Sequence, residues 1–147
     1  MPFIKIWIHL VWATKNRMPY LQGTDLRKNI WQHIKENAAS KDIYLDCVNG
    51  YYDHIHCLMS LKTNQTIAKN MQLIKGESAF WINKEKLIPQ HFQWQSEYFA
   101  VSVSHSMVDR VRSYIHRQEL HHGEKTYAQE YNDLIEKYGF EKFKDLE

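Results

Sequence analysis

Ile43-Tyr44-Leu45-Asp46-Cys47-Val48-Asn49-Gly50, then Tyr52-Asp53-His54-Ile55-His56-Cys57-Leu58-Met59-Ser60-Leu61, is the stretch that decides the fold. Both runs alternate as strands do, and the Asn49-Gly50 step between them is the strongest short hairpin signal a sequence carries. The spacing therefore predicts two antiparallel strands over 43–48 and 52–61. Residues i and i+2 of a strand share a face. His54 and His56 thus point together, with Tyr52 and Leu58, while Asp53, Ile55, Cys57 and Met59 point the other way.

Outward from the hairpin, residues 3–13 are apolar at nearly every position, which fits a strand covered on both faces. Ile4, Ile6, Ile8, Leu10 and Trp12 form one side, and Phe3, Trp7 and Val11 the other. A basic loop follows, and then a helix from Thr24, a plausible N-cap, with Leu26, Ile30, Ile34 and Ala38 at helical spacing. Thr66 caps a second helix bearing Ile67, Met71, Ile74, Ser78 and Trp81 on one side. A fourth strand is expected over 98–103. Ser104 or Ser106 then caps a third helix, with Val108, Val111 and Ile115 buried and His121-His122-Gly123 as its stop. A last acidic helix runs over 127–138 to Gly139, read as packing material or a dimer element.

The order β-α-β-β-α-β-α gives an α+β, ferredoxin-like (split βαβ) fold. Its four-stranded antiparallel sheet has helices on one face, plus a C-terminal tyrosine-bearing helix. At 147 residues, 44% of them hydrophobic and 14% aromatic, the chain is expected to be one domain spanning 1–147. No run is long enough for a membrane span and no signal peptide is evident. Cys47 and Cys57 are too few for a disulfide scaffold and read as buried thiols, so a cytoplasmic location is expected. A net charge of +2 does not by itself indicate a nucleic-acid binder.

With nine histidines in the chain, one His-x-His pair is close to what chance supplies. Its context carries the reading. On the third helix Tyr114 and Gln118 lie four residues apart and share a face. Two imidazoles, with the Gln118 carbonyl as a third ligand, leave coordination positions open, as a catalytic metal requires. By softness the imidazoles favour Mn²⁺ or Zn²⁺, while substrate phosphate oxygens would make Mg²⁺ acceptable. Tyr114 is the nucleophile candidate for metal-assisted attack of a phenol on a phosphodiester. The ester bond would be exchanged rather than hydrolysed, so no nucleotide cofactor is needed.

Arg110, Arg117 and His121 could hold phosphates beside Tyr114, against the plainer reading of a solvated helix face. Lys75-Gly76 is odd inside a helix, since glycine costs about 1 kcal/mol relative to alanine. It reads either as a close helix–sheet approach or as backbone near DNA with Lys75 on a phosphate. Trp94, Trp12 and Tyr20 could stack unpaired bases, with Trp12 the better core candidate.

Taken in order, several stretches resemble the HUH single-tyrosine transposases of the insertion-sequence 200/605 group and their REP-associated relatives. They are Val11-Trp12-Ala13-Thr14-Lys15-Asn16-Arg17, His54-Ile55-His56-Cys57-Leu58 and Lys75-Gly76-Glu77-Ser78 with Trp81-Ile82-Asn83. Trp94-Gln95, Ser102-Val103-Ser104 and Tyr114-Ile115-His116-Arg117-Gln118-Glu119 complete the set. The resemblance implies that His54 and His56 bind Mg²⁺ or Mn²⁺, that Gln118 completes the metal site and that Tyr114 forms a 5′-phosphotyrosine. It implies single-stranded DNA with imperfect hairpins as substrate, and a homodimer in which active sites can be shared between chains. Lys15, Arg17, Lys75, Arg110 and Arg117 are the DNA-binding candidates. Ser96-Glu97-Tyr98 departs from the family's usual Gly-Tyr step. A non-mobile hairpin-binding relative and a small metallohydrolase are the alternatives.

Overall fold

The computed structural model describes residues 1–121 and 126–138. Its sheet comprises β1 (Trp7–Ala13), β2 (Tyr44–Gly50), β3 (His54–Ser60) and β4 (Phe99–Val103). The strand order is β2-β3-β1-β4 and every neighbour is antiparallel. With α1 (Thr24–Ser40) between β1 and β2, and α2 (Ile67–Lys84) between β3 and β4, this is the ferredoxin-like α+β arrangement. Among the described residues, α3 (Val108–His116), the short α4 (Gln118–His121) and α5 (Tyr127–Tyr138) follow.

The two-residue periodicity sorts the side chains as expected. Ile8, Leu10 and Trp12 of β1 and Ile55, Cys57 and Met59 of β3 bury against Ile30, Ile34 and Ala38 of α1 and Met71, Ile74 and Ile82 of α2. The opposite face is covered by the later helices. Trp7, Cys47 and Leu58 pack under Val108 and Ile115 of α3, and Val11, Ala13 and Phe99 pack under Tyr127 of α5. Cys47 and Cys57 are both free and buried.

Several boundaries differ from the sequence reading, each for a local reason. Residues 3–6 lie outside the sheet, because both neighbours of β1 end their pairing at Trp7, opposite Ser60 and Val103. Phe3 is accordingly exposed. Asn49-Gly50 is not the turn itself; both residues close β2, and the chain reverses through Tyr51-Tyr52-Asp53. Glycine is still required at 50, since a Cβ there would meet the His54 carbonyl oxygen at 2.2 Å. Gly23, at φ 97°, takes the cap position assigned to Thr24. Thr66 does cap α2, its hydroxyl accepting from the Lys69 amide at 3.1 Å. Ser104 precedes only a short turn, and α3 begins after Met107 without a side-chain cap. Gly76 has nothing within 4 Å of its would-be Cβ, so it marks no close helix–sheet approach. His122-Gly123 and Gly139 lie outside the described residues, as does the side chain of His121.

Candidate active site

β3 aims His54 and His56 at the face covered by α3 and α5, and both imidazoles are fully buried there. The helical run expected to carry Tyr114 and Gln118 together is interrupted at Arg117, whose backbone leaves helical geometry. Gln118 nevertheless keeps its i+4 relation, its amide lying 3.4 Å from the Tyr114 carbonyl. Polar contacts anchor this region to the sheet. Asn49 donates its amide to the Ile115 carbonyl at 2.9 Å, and Arg112 donates to Asp46 at 2.7 Å. The buried Arg27 donates to the Leu21 carbonyl at 2.8 Å and to Glu119 at 3.0 Å, with Tyr51 and Tyr52 against its guanidinium.

The structure brings all four principal candidates together. His54 Nε2 lies 3.3 Å from Gln118 Oε1. The Tyr114 ring packs edge-on to His56, with centroids 5.6 Å apart. Within one chain, therefore, the tyrosine faces that chain's own histidines.

Three further participants were not identified from the sequence. Glu130 of α5 is 3% exposed, with Oε1 3.0 Å from His56 Nε2 and Oε2 3.6 Å from His54 Nε2. It also accepts a hydrogen bond from the Tyr114 hydroxyl. The second is His9, whose Nε2 lies 2.9 Å from His56 Nδ1. The third is Asp53, which turns away from the face assigned to it and accepts from His54 Nδ1 at 2.8 Å. His9 was legible: it shares strand parity with Trp7 and Val11, and so the face of the histidine pair. Glu130 had no local signal beyond lying in a helix that must cover the sheet.

The donor set fits a divalent cation. Donor atoms of His54, His56 and Glu130 lie within 4.8 Å of one another, and Gln118 adds a neutral oxygen. Both imidazoles engage Nδ1 away from the cluster, which orients Nε2 toward its centre, the usual outer support of metal-binding histidines. Burial, reinforced by His56 and opposed by Glu130, pushes His9 down to about 3. A neutral imidazole can donate or accept at Nε2, so His9 can support His56 with a proton or a cation at the cluster. Two nitrogens and two oxygens form a mixed donor set, harder than an all-imidazole site.

Tyr114 is protonated at rest. Burial, then the charge and hydrogen bond of Glu130, push its phenol above the ordinary tyrosine range, with the Gln118 hydrogen bond opposing. A cation beside Glu130 would reverse the electrostatic part of that shift. On the far side of His54, the Tyr127 ring stacks on the imidazole with centroids 4.5 Å apart.

The DNA-binding candidates are dispersed. Arg17 lies over the rings of Tyr127 at 5.4 Å and Tyr131 at 4.6 Å, next to the cluster. Lys15 is exposed at the end of β1, and Arg110 and Arg117 are exposed on and after α3. The Lys75 ammonium donates to the carbonyls of Gln95 at 2.6 Å and Ser96 at 3.0 Å, and burial lowers its pKa to about 8. Lys75 thus braces the loop before β4. Trp12 and Trp94 are buried in the core, Trp12 also lining a cavity at the end of β1, and Tyr20 is half-buried against that core.

The fold and this cluster define a class: a ferredoxin-like sheet presenting a buried His-x-His pair to a tyrosine on a covering helix. The chain belongs to the IS200-like transposases, whose family profile matches residues 3–118. It is 27% identical over 116 residues to the ISDra2 transposase TnpA of Deinococcus radiodurans, covering 75% of this chain and 81% of that protein. Its fold is similar to the crystal structure of a candidate transposase from Deinococcus radiodurans R1. The TM-score is 0.63 and the identity 21%, with 80% of this chain and 93% of that one covered. It is also similar to a REP-associated tyrosine transposase bound to a REP hairpin, with TM-score 0.60 and 17% identity over 84% and 72% of the two chains. Glu130 lies beyond the stretch that the family profile matches. Among the described residues no helix is long and apolar enough to cross a membrane.

Proposed function

We propose that this transposase cleaves and rejoins single-stranded DNA at hairpin-marked ends through a 5′-phosphotyrosine on Tyr114. The observation that carries the reading is the convergence of His54, His56, Gln118 and Glu130 on one cluster, in which Glu130 also accepts a hydrogen bond from the Tyr114 hydroxyl. In the first step the Tyr114 oxygen bonds to phosphorus and the P–O3′ bond breaks. Glu130 is in place to receive the phenolic proton, and the departing 3′ oxygen is protonated to a free hydroxyl. Rejoining reverses the exchange with a second 3′ hydroxyl. His54, His56, Gln118 and Glu130 would hold Mg²⁺ or Mn²⁺, which supplies Lewis-acid polarisation of the phosphate when bound. Asp53 and His9 keep the two imidazoles oriented, and burial of the pair under α3 and α5 limits water.

Hairpin DNA as the ligand class is supported by the REP hairpin in the related structure. Because one chain carries a full set of groups, the dimer implied by the family resemblance would serve to pair two DNA ends. The test is incubation with single-stranded, hairpin-flanked DNA and Mn²⁺. A covalent protein–DNA adduct is expected, absent with chelator and absent in Tyr114→Phe. An adduct that persists in Tyr114→Phe would overturn the assignment, and metal-dependent cleavage with no adduct would indicate a hydrolase.

A further inference from the structure

A cavity of about 290 Å³ opens between the end of β1 and the start of β4, one aromatic ring away from the histidine pair. That ring is Tyr127, which lines the cavity and stacks on His54. The volume lies just below the roughly 300–1,000 Å³ of pockets for drug-sized ligands, which suits a single ring system. Tyr98, Phe99 and Tyr127 supply aromatic walls. The rim is polar and charged: Arg17, Gln95 and Glu97.

The walls are held in place from several directions. Gln95 donates its backbone N–H to the Ala13 carbonyl at 2.8 Å, and its side-chain oxygen accepts from the Asn16 amide at 3.1 Å. Asn16 and Arg17 are consecutive non-glycine residues at φ 57° and 55°, a left-handed conformation that costs free energy and gathers at functional positions. That conformation turns the chain so that the Arg17 guanidinium lies over Tyr127 and Tyr131.

Charge identifies the occupant. A phosphate at this rim would gain from Arg17 but face the Glu97 carboxylate, so an anion is disfavoured. A flat, neutral, aromatic group gains stacking from the walls, donors from Arg17 and the Gln95 amide, and an acceptor in Glu97. A carboxylate is complementary to the exocyclic amine of a nucleobase, whereas the one ring donor of an unpaired thymine, N3–H, is flanked by two carbonyl oxygens that repel a carboxylate. We propose that this cavity binds one unpaired nucleobase bearing an exocyclic amine, close to the scissile phosphate, with Glu97 accepting from that amine. The inference rests on the preceding functional reading only in taking single-stranded DNA as the ligand.

The test is fluorescence anisotropy with labelled dC12 and dT12, without metal, so that no cleavage is required. These pyrimidine strands differ at the 4-amino group that Glu97 would recognise. A well-formed base contact discriminates by about 1–3 kcal/mol, so dC12 should bind at least about fivefold tighter than dT12. Glu97→Gln, an exposed and conservative change, should reduce that ratio below about twofold while leaving the dT12 affinity within about twofold. Equal affinities in the unmodified protein, an unchanged ratio in Glu97→Gln, or no binding of either strand would overturn the proposal. A preserved dC12 preference without any Tyr114 adduct would instead remove the transesterification reading and leave the base site standing.

Discussion

His9→Gln probes the support of the histidine pair. In the folded chain His9 is pushed down to about 3, first by burial and then by His56, whereas in the unfolded chain it titrates near 6.5. Between these values the unfolded state binds a proton that the folded state does not, so stability rises with pH. The contribution is fully present above the unfolded value and is lost as pH falls toward the folded one. With 1.36 kcal/mol per unit, lowering the pH from 7 to 5 removes about 2 kcal/mol through this one group. Glutamine does not titrate and keeps a polar end near His56 Nδ1. The assay is urea unfolding at both pH values in the presence of chelator, followed by tryptophan fluorescence. The unmodified protein should lose about 2 kcal/mol more than His9→Gln. Equal losses would refute the placement of a neutral, half-buried His9 behind His56.

Asp53→Ala removes the partner of His54 Nδ1 and should weaken Mn²⁺ binding by about 10–100-fold in calorimetry; unchanged affinity would remove Asp53 from the metal's support. Gly50→Ala drives a methyl into the His54 carbonyl oxygen and to 2.9 Å from Ile55 Cα. Its cost should exceed about 4 kcal/mol in chemical unfolding, and a loss below about 1 kcal/mol would contradict the close approach. Gly76→Ala points a methyl into open space in mid-helix, so it should stabilise the protein by about 1 kcal/mol and raise Tm by a few degrees. A lower Tm would mean that the helix packs more tightly there than described.

How much of this was legible in the sequence follows from which signals are local. Strand alternation placed Ile55, Cys57 and Met59 against α1 and α2 and turned His54 and His56 to the other face, because side-chain period is a property of one strand. Four-residue spacing brought Tyr114 and Gln118 to one site even though the helix breaks at Arg117. Register between strands is not a local property. His9 reaches His56 only because Val11 pairs with His56, which puts His9 one pleat away on the same face. Glu130 depends on where α5 docks, and an acidic residue in an amphipathic helix looks like any solvated one. Lys75 reads as a cation suited to a phosphate, and its ammonium donates here to the Gln95 and Ser96 carbonyls, partners that only the position of the loop before β4 supplies.

The central claim is that Tyr114 is the residue that becomes covalently joined to DNA. Tyr127, stacked on His54, is the competitor that geometry offers. Trypsin separates the two, since Tyr114 falls in the peptide 113–117 and Tyr127 in the peptide 126–137. Mass spectrometry of the trapped, nuclease-trimmed adduct should find the nucleotide mass on the 113–117 peptide. Its appearance on the 126–137 peptide would contradict the account.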